Sequence, residues 1–124
     1  MASIVPLFGG EARLTVKADG ADLTAGQLVK ITNIDGTVLE AVAATAPGEA
    51  DGVMNVDVAN GEKGACIMLV PGTVMKMKSG AGVAAGELVE PVAAGAADTA
   101  SAFDRAIGRA LTATASGFIL VLVN

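Results

Sequence analysis

The sequence has 124 residues, of which 52% are hydrophobic and 17% are charged, and its formal net charge is −5. This length fits one domain, and the chain contains no His, Trp or Tyr, three Phe and one Cys. Without His there is no Ser–His or Cys–His nucleophile pair, and a single Cys excludes a disulfide within the chain and a cysteine-rich zinc site. We therefore expect a protein that is not an enzyme and that has no cofactor.

Charge and hydrophobic run length bear on the partners. The acidic balance and the scattered basic residues argue against a protein that neutralises nucleic-acid phosphates. The longest uncharged run, Ala110–Asn124, is shorter than the roughly 20 apolar residues of a bilayer-spanning helix. Met1–Phe8 lacks the basic segment that begins a secretion signal. We expect no nucleic-acid partner, no membrane partner, and synthesis in the cytoplasm.

The start of the chain is predicted to be an extended arm, because Pro6 disfavours a helix and the pair Gly9-Gly10 supplies a hinge. We place this N-terminal arm at residues 1–10 and a single β-barrel domain at 11–124. The arm is expected to add to a neighbouring molecule as a strand; the alternative is a first barrel strand in its own subunit. The predicted interface residues of the arm are Ile4, Val5, Pro6, Leu7 and Phe8.

Alternation of apolar and polar residues predicts short strands after the arm. β-branched or continuous apolar runs predict further strands at Val38–Val42, Ala65–Val70 and Phe118–Val123. Asp-Gly and Asn-Gly pairs between them supply the positive φ angles of tight turns, and Asp35-Gly36 marks the clearest hairpin. Ala93–Arg105 is predicted to be a loop with at most a short helix. This pattern predicts an all-β fold, a small β-barrel or sandwich of short strands. The predicted strands are Arg13–Ala18, Val29–Thr32, Val38–Val42, Met54–Ala59, Ala65–Val70, Thr73–Lys78, Gly86–Pro91 and Phe118–Val123.

Two stretches of the chain share one pattern. Leu23–Lys30 and Val83–Glu90 each place an apolar residue, two small residues, Gly and a polar residue before Leu-Val. Gly26 and Gly86 permit a backbone conformation that other residues resist. Either two similar β units close one barrel, or the same turn is used twice independently.

The Met-Lys-Met sequence around Lys76 matches the centre of the attachment site in biotin carrier domains. In that family the modified Lys lies in an exposed hairpin downstream of an Ala-Gly turn, whereas Lys76 precedes Ala85-Gly86. We predict a plain strand with Met75 and Met77 on one face and Lys76 and Lys78 facing solvent. The alternative function is a biotinyl- or lipoyl-type carrier barrel with Lys76 as the attachment site.

Other possible sites are weaker, and we predict no catalytic, cofactor-binding or metal-binding residues. Gly80–Ala85 fits a loose dinucleotide pattern, but no helix is predicted after it. Cys66 lies in an apolar run and is expected to be a buried thiol of low reactivity. A glycosidase using only carboxylates would need an aromatic-lined cleft, for which three Phe offer little. The following acidic residues lack the spacing of a calcium loop: Glu49, Asp51, Asp57 and Glu62.

Three stretches together carry a family resemblance: Leu23–Ile31, Ala65–Pro91, and Ile107–Leu111 leading into Phe118–Val123. With their Ala-Gly-polar-Leu-Val units and closing Ile-Gly-Arg-Ala-Leu, they resemble capsid decoration (cement) proteins of tailed bacteriophages. The resemblance implies a compact β-barrel, often trimeric, that sits on the outer surface of the shell and clamps neighbouring major capsid subunits. The segment Asp51–Glu62 departs from the family pattern because its alternation is stronger than that of a simple linker.

The same resemblance implies partners and a location. The partners are the major capsid protein and further copies of the chain in a homotrimer. The location is the outer capsid surface of the virion, after synthesis in the cytoplasm of a bacterial host. A protein that binds the assembled shell and not its separated subunits stabilises the shell by mass action.

Overall fold

The computed structural model describes residues 12–80 and 82–124, and this part of the chain is built from ten strands and two short 3-10 turns. The predicted all-β class is confirmed. The 3-10 turns are Ala93–Gly95 and Phe103–Arg105. The strands are β1 (Arg13–Ala18), β2 (Leu28–Asp35), β3 (Val38–Ala43), β4 (Gly52–Met54), β5 (Lys63–Met68), β6 (Val74–Lys78), β7 (Leu88–Val92), β8 (Ala96–Thr99), β9 (Gly108–Ala110) and β10 (Phe118–Val123).

The first five strands form a closed barrel in the order β1-β3-β2-β4-β5, which we call unit 1. β1 and β3 are parallel, and the other pairs are antiparallel. The β2–β3 hairpin turns at the predicted Asp35-Gly36 pair, where Gly36 has a φ of +66°. Alternate residues point inward, so the barrel holds its own apolar core. The buried residues of this core are Val16, Ala18, Leu23, Val29, Ala41, Met54, Val58 and Cys66.

The last five strands form a sheet in the order β6-β10-β9-β7-β8, which we call unit 2. Each pair of neighbouring strands in unit 2 corresponds to the pair five places earlier in unit 1. The difference is at the closure: the β1–β3 ladder of unit 1 is reduced in unit 2 to one parallel bridge between Ser79 and Ala97. Unit 2 is therefore an opened form of the same architecture.

The two Gly-containing turns noted in the sequence are equivalent in structure. Gly26 N–H donates to the Met54 carbonyl at 2.8 Å, and Gly86 N–H donates to the Ala110 carbonyl at 2.7 Å. Both glycines have positive φ, +87° and +92°, as that turn requires. The repeat is therefore structural, and each copy belongs to its own five-stranded unit, closed in unit 1 and open in unit 2, instead of to half of one barrel.

The start of β2 fills the opening between β6 and the turn that leads into β8. On one side Lys78 N–H donates to the Gly26 carbonyl at 2.8 Å. On the other side Gly95 lies so close that a Cβ there would be 2.7 Å from the Leu28 carbonyl oxygen. Val29 points into unit 1, whereas Leu28 packs in the core of unit 2. The two units therefore share a strand end and a core.

Several details differ from the sequence-based expectations. The strand predicted at Met54–Ala59 was wrong: the observed strand is Gly52–Met54 and shares only Met54 with it, because the Asp57 carboxylate accepts the Ala25 N–H at 2.9 Å and holds a turn. Val58 then forms only an isolated bridge with Leu23. β8 and β9 were not predicted, since four and three residues rich in Ala and Gly carry no readable alternation.

Candidate interaction surface

The arm residues Ile4, Val5, Pro6, Leu7 and Phe8 lie outside the described residues, and Lys76 lies in the interior of β6. Met75 and Met77 are buried and Lys76 is exposed, as the alternation predicts. Lys76 pairs with Leu120 of β10, and its Nζ lies 4.7 Å from the centroid of the Phe118 ring, a cation–π contact. A strand interior is not the exposed hairpin that presents the lysine of a carrier domain.

Cys66 is fully buried in the core of unit 1. Burial raises the pKa of the Cys66 thiol, with the negative charge of Asp51 as the second cause, so the reactive thiolate is disfavoured. Within residues 12–80 and 82–124, no group of three or more acidic or Cys side chains could hold a metal ion. In the same part of the chain, no helix is long and apolar enough to cross a membrane.

Phe103 is the most exposed large apolar side chain of the described residues, at 80%. It begins the 3-10 turn Phe103–Arg105, which the Arg105 N–H to Ala102 carbonyl and Ala106 N–H to Phe103 carbonyl bonds close, each at 3.2 Å. Exposed aromatic residues held by ordered backbone are typical of protein interfaces. This segment lies in Ala93–Arg105, which is predicted from sequence to be a loop, and Phe103 is not among the predicted interface residues. A lone Phe in an Ala-rich loop was the available signal.

A groove of about 450 Å³ opens next to this turn, between the β3–β4 loop and the β8–β9 loop. The two loops are equivalent in the two units, because Asp51 N–H donates to the Val29 carbonyl at 2.8 Å and Ile107 N–H donates to the Val89 carbonyl at 2.9 Å. We call Phe103 and the lining of this groove the loop surface. The lining residues are Pro47, Gly48, Asp104, Arg105, Ala106 and Ile107.

Beneath the same loop lies Glu90, a carboxylate that is only 7% exposed. Its Oε1 accepts from the Ser101 N–H and hydroxyl, each at 3.3 Å, while its Oε2 has no hydrogen-bond partner among the described residues. A buried carboxylate oxygen without a donor is costly. Arg105 in the same loop is exposed to solvent and does not hydrogen-bond to Glu90 Oε2.

At the equivalent place in unit 1, a basic side chain replaces the acidic Glu90, and it has a charged partner. Lys30 occupies the position of Glu90, and its Nζ lies 3.6 Å from Glu49 Oε2. Thr45 donates its backbone N–H and its hydroxyl to Glu49 Oε1 at 3.2 and 3.0 Å. These Thr45 hydrogen bonds, helped by Lys30, lower the pKa of Glu49. The β3–β4 loop is therefore fixed by its own side chains.

A second apolar surface covers the outer face of β6, β10 and β9, which we call the strand face. Phe118, Leu120 and Leu122 are half-buried on this face, with Lys76 and Arg109 beside them. Residues 73–86 and 106–124, which include these three strands, contain no Asp or Glu. In a chain of net charge −5, the strand face is therefore locally positive as well as apolar.

Comparison with known proteins shows a likeness in structure. No protein-family model matches the chain, and no curated protein matches it in sequence. Among solved structures, the chain is similar to the N base of the head fiber gp8.5 of bacteriophage phi29, with a TM-score of 0.78 and 18% sequence identity. The likeness covers 92% of this chain and 94% of that chain, so it includes both units. At this identity it establishes a shared fold.

Proposed function

We propose that this chain is a capsid decoration protein, which binds the outer surface of a phage head and stabilises the contacts between major capsid subunits. The observation that carries the proposal is the shared fold with the N base of a phage head fiber over 92% of this chain. The resemblance of Leu23–Ile31, Ala65–Pro91 and Ile107–Leu111 to phage decoration proteins supports the same function.

The surface chemistry of unit 2 supports binding as the mode of action. Phe103 is 80% exposed, and burying one such side chain is worth about 1.5–3 kcal/mol. The strand face adds Phe118, Leu120 and Leu122. Many copies on one shell add such contacts through multivalency. In this proposal the protein works by non-covalent contacts with the major capsid protein, without catalysis or a cofactor, after synthesis in the bacterial cytoplasm.

The proposal includes a homotrimer in which the arm residues Ile4–Phe8 join a neighbouring molecule. An apolar segment interrupted by Pro6 and followed by Gly9-Gly10 suits extended addition to another chain. Deleting Met1–Phe8 is expected to weaken the trimer or its binding to the shell, and deleting only Met1–Ser3 is the matched control. Unchanged mass and unchanged binding of the longer deletion would remove the arm from the proposal.

Co-sedimentation with phage heads tests the function. Purified heads of the encoding phage, stripped of this protein, are mixed with the full chain and pelleted through a sucrose cushion. We expect the chain in the pellet in numbers similar to those of the major capsid protein, and no comparable binding to dissociated major capsid subunits. A chain that stays in the supernatant, together with its absence from intact virions by mass spectrometry, would contradict the proposed function.

A further inference from the structure

Unit 2 leaves open the face that corresponds to the covered face of unit 1. In unit 1, Leu28 pairs with Val53, and both side chains belong to the core that they share with unit 2. In unit 2 the equivalent pair is Leu88 and Arg109, of which Leu88 is half-buried and Arg109 exposed. The β8–β9 loop begins beside this pair, since Ala100 N–H donates to the Leu88 carbonyl at 2.7 Å. The loop surface therefore adjoins an uncovered face of unit 2. The equivalent face of unit 1 is covered, because it packs against unit 2.

We propose that the loop surface is a contact between two copies of this chain, in which Phe103 of one copy fills the groove of the other. The inference deepens the self-association included in the proposed function and is independent of binding to the shell. The projecting ring and the groove are different patches on one surface, so the ring of each copy can enter the groove of the next, and such head-to-tail contacts can close into a trimer.

Size and charge both fit a second copy as the occupant. The groove of about 450 Å³ has room for a phenylalanine side chain, and Pro47, Ala106 and Ile107 give it apolar walls. Asp104 and Arg105 flank Phe103 in the same turn. Each copy therefore brings one acid and one base to the contact, so Arg105 of one copy can face Asp104 of the other.

The mass of the full-length chain in solution tests the contact. Sedimentation velocity over a concentration series is compared for the wild type, Phe103→Ser, and the control Leu111→Ser, which removes another exposed apolar side chain (40% exposed) outside the loop surface. We expect Phe103→Ser to weaken association by about 30-fold or more, as for an interface hot spot, and Leu111→Ser to leave it unchanged. Association of Phe103→Ser at wild-type strength would overturn the proposal. Circular dichroism checks that both variants are folded.

A disulfide between copies tests the geometry directly. Ala102→Cys, which keeps the neighbouring Phe103 ring, and Pro47→Cys are made in separate chains, one of them isotope-labelled, and mixed under mild oxidation. We expect a mixed-label disulfide dimer, because the Phe103 side chain of one copy is placed against Pro47 of the other. Cys66 is buried and is present in both chains, so wild type mixed with Pro47→Cys is the background. A mixed dimer no more abundant than this background would contradict the contact.

The two proposals fail in different ways. A wild-type chain that is monomeric at all concentrations but still pellets with phage heads would overturn the contact between copies and leave binding to the shell supported. A chain that associates through Phe103 but does not pellet with heads would support the contact and overturn the decoration function.

Discussion

Unit 1 and unit 2 have the same strand order and the same turn hydrogen bonds, but only unit 1 is closed. The β1–β3 ladder closes unit 1, whereas the corresponding opening of unit 2 is filled by the start of β2 near Gly26 and Leu28. Unit 1 can therefore bury its core alone, and unit 2 needs unit 1 to complete its own. The same architecture therefore occurs once as a closed barrel and once as an open sheet whose core is completed by the other unit.

The turns at corresponding ends of the two units carry acidic side chains in unit 1 and uncharged ones in unit 2. Asp22 accepts the Asn60 N–H and Asp57 accepts the Ala25 N–H, each bond at an exposed turn of unit 1. The corresponding positions of unit 2 carry small uncharged residues, Gly82 and Ala113. The acidic turns of unit 1 favour solvent. Of the three exposed large apolar side chains among the described residues, Phe103 and Leu111 lie on unit 2 and Val56 lies on unit 1, and Phe103 is by far the most exposed. In our proposal the contact surfaces therefore lie on unit 2.

The largest expected effect comes from an equivalent pair of glycines, Gly52 in β4 and Gly108 in β9. A Cβ at Gly52 would lie 2.7 Å from the Ile67 carbonyl oxygen, and a Cβ at Gly108 would collide with the Leu122 carbonyl oxygen. Because the obstacle is backbone in both units, Gly52→Ala and Gly108→Ala should each lower the free energy of unfolding by about 3 kcal/mol. Urea denaturation measures the change.

The matched control is Gly82→Ala, since a Cβ at Gly82 meets no atom of the described residues within 4 Å and this glycine does not require positive φ. We expect its effect to stay within about 0.5 kcal/mol. If Gly52→Ala or Gly108→Ala were as mild as the control, the close strand approach that defines both units would be wrong at that position.

A smaller effect is expected at Ile31, whose backbone N–H is hydrogen-bonded in unit 1 and has no counterpart at the equivalent proline of unit 2. Asp51 Oδ2 accepts the Ile31 N–H at 2.8 Å, and the equivalent residues of unit 2 are Ile107 and Pro91, which has no N–H to satisfy. Asp51→Ile alone should lower the free energy of unfolding by about 1–3 kcal/mol because it leaves a part-buried donor unpaired. Adding Ile31→Pro removes that donor, and a double-mutant cycle should show a favourable coupling of about 1 kcal/mol. Strict additivity would mean that the two positions are not equivalent to the pair in unit 2.

Cys66 should tolerate the residue found at its equivalent position. Val121 holds that place in unit 2, and both side chains are fully buried. Cys66→Val should change the free energy of unfolding by less than about 1.5 kcal/mol, whereas Cys66→Ser buries a hydroxyl and should cost more. A loss as large as that of Cys66→Ser would show that the two cores are not interchangeable here.

The Cys66 thiol also makes stability depend on pH, because its pKa is raised in the folded state. Its contribution to the free energy of unfolding is fully present below the unfolded-state pKa and is lost as the pH rises through the folded-state pKa.

The smallest effect is the pH dependence that Glu49 gives to unit 1. Hydrogen bonds from Thr45, with help from Lys30, lower the pKa of Glu49 from its ordinary value of 4.5. The stabilisation is therefore present above the unfolded pKa and is lost as pH falls through the folded pKa. We expect Glu49→Gln to flatten the acid side of the curve of unfolding midpoint against pH. An unchanged slope would indicate that the Thr45–Glu49 bonds do not persist in solution.

Sequence patterns predicted the strands that are long enough to show a regular arrangement of apolar residues. β1 and β6 alternate along their length and β10 is a continuous apolar run, and the bounds of all three were predicted to within a residue. β9, with the sequence Gly-Arg-Ala, is too short to carry a period and is recognisable only as the counterpart of β4. Local side-chain bonding also overrides alternation, as the Asp57 turn shows after Met54.

The loop surface could not be predicted from sequence for a different reason. Its groove joins Pro47 and Gly48 to Asp104–Ile107, residues that are far apart in the chain and meet only because the two units pack together. The exposure of Phe103 likewise depends on the 3-10 turn that holds it outward. The likeness of the two Gly turns, by contrast, was visible in Leu23–Lys30 and Val83–Glu90. That each turn belongs to a separate five-stranded unit became visible only in the strand pairing.

Hydrogen–deuterium exchange of the chain, dilute in solution and then assembled on phage heads, tests most directly whether unit 2 carries the contact surfaces. We predict slower exchange on assembly in the β8–β9 loop, residues 100–107, and unchanged exchange at the acidic turn Asp19–Asp22 of unit 1. Slower exchange at Asp19–Asp22 with no change in residues 100–107 would contradict the account.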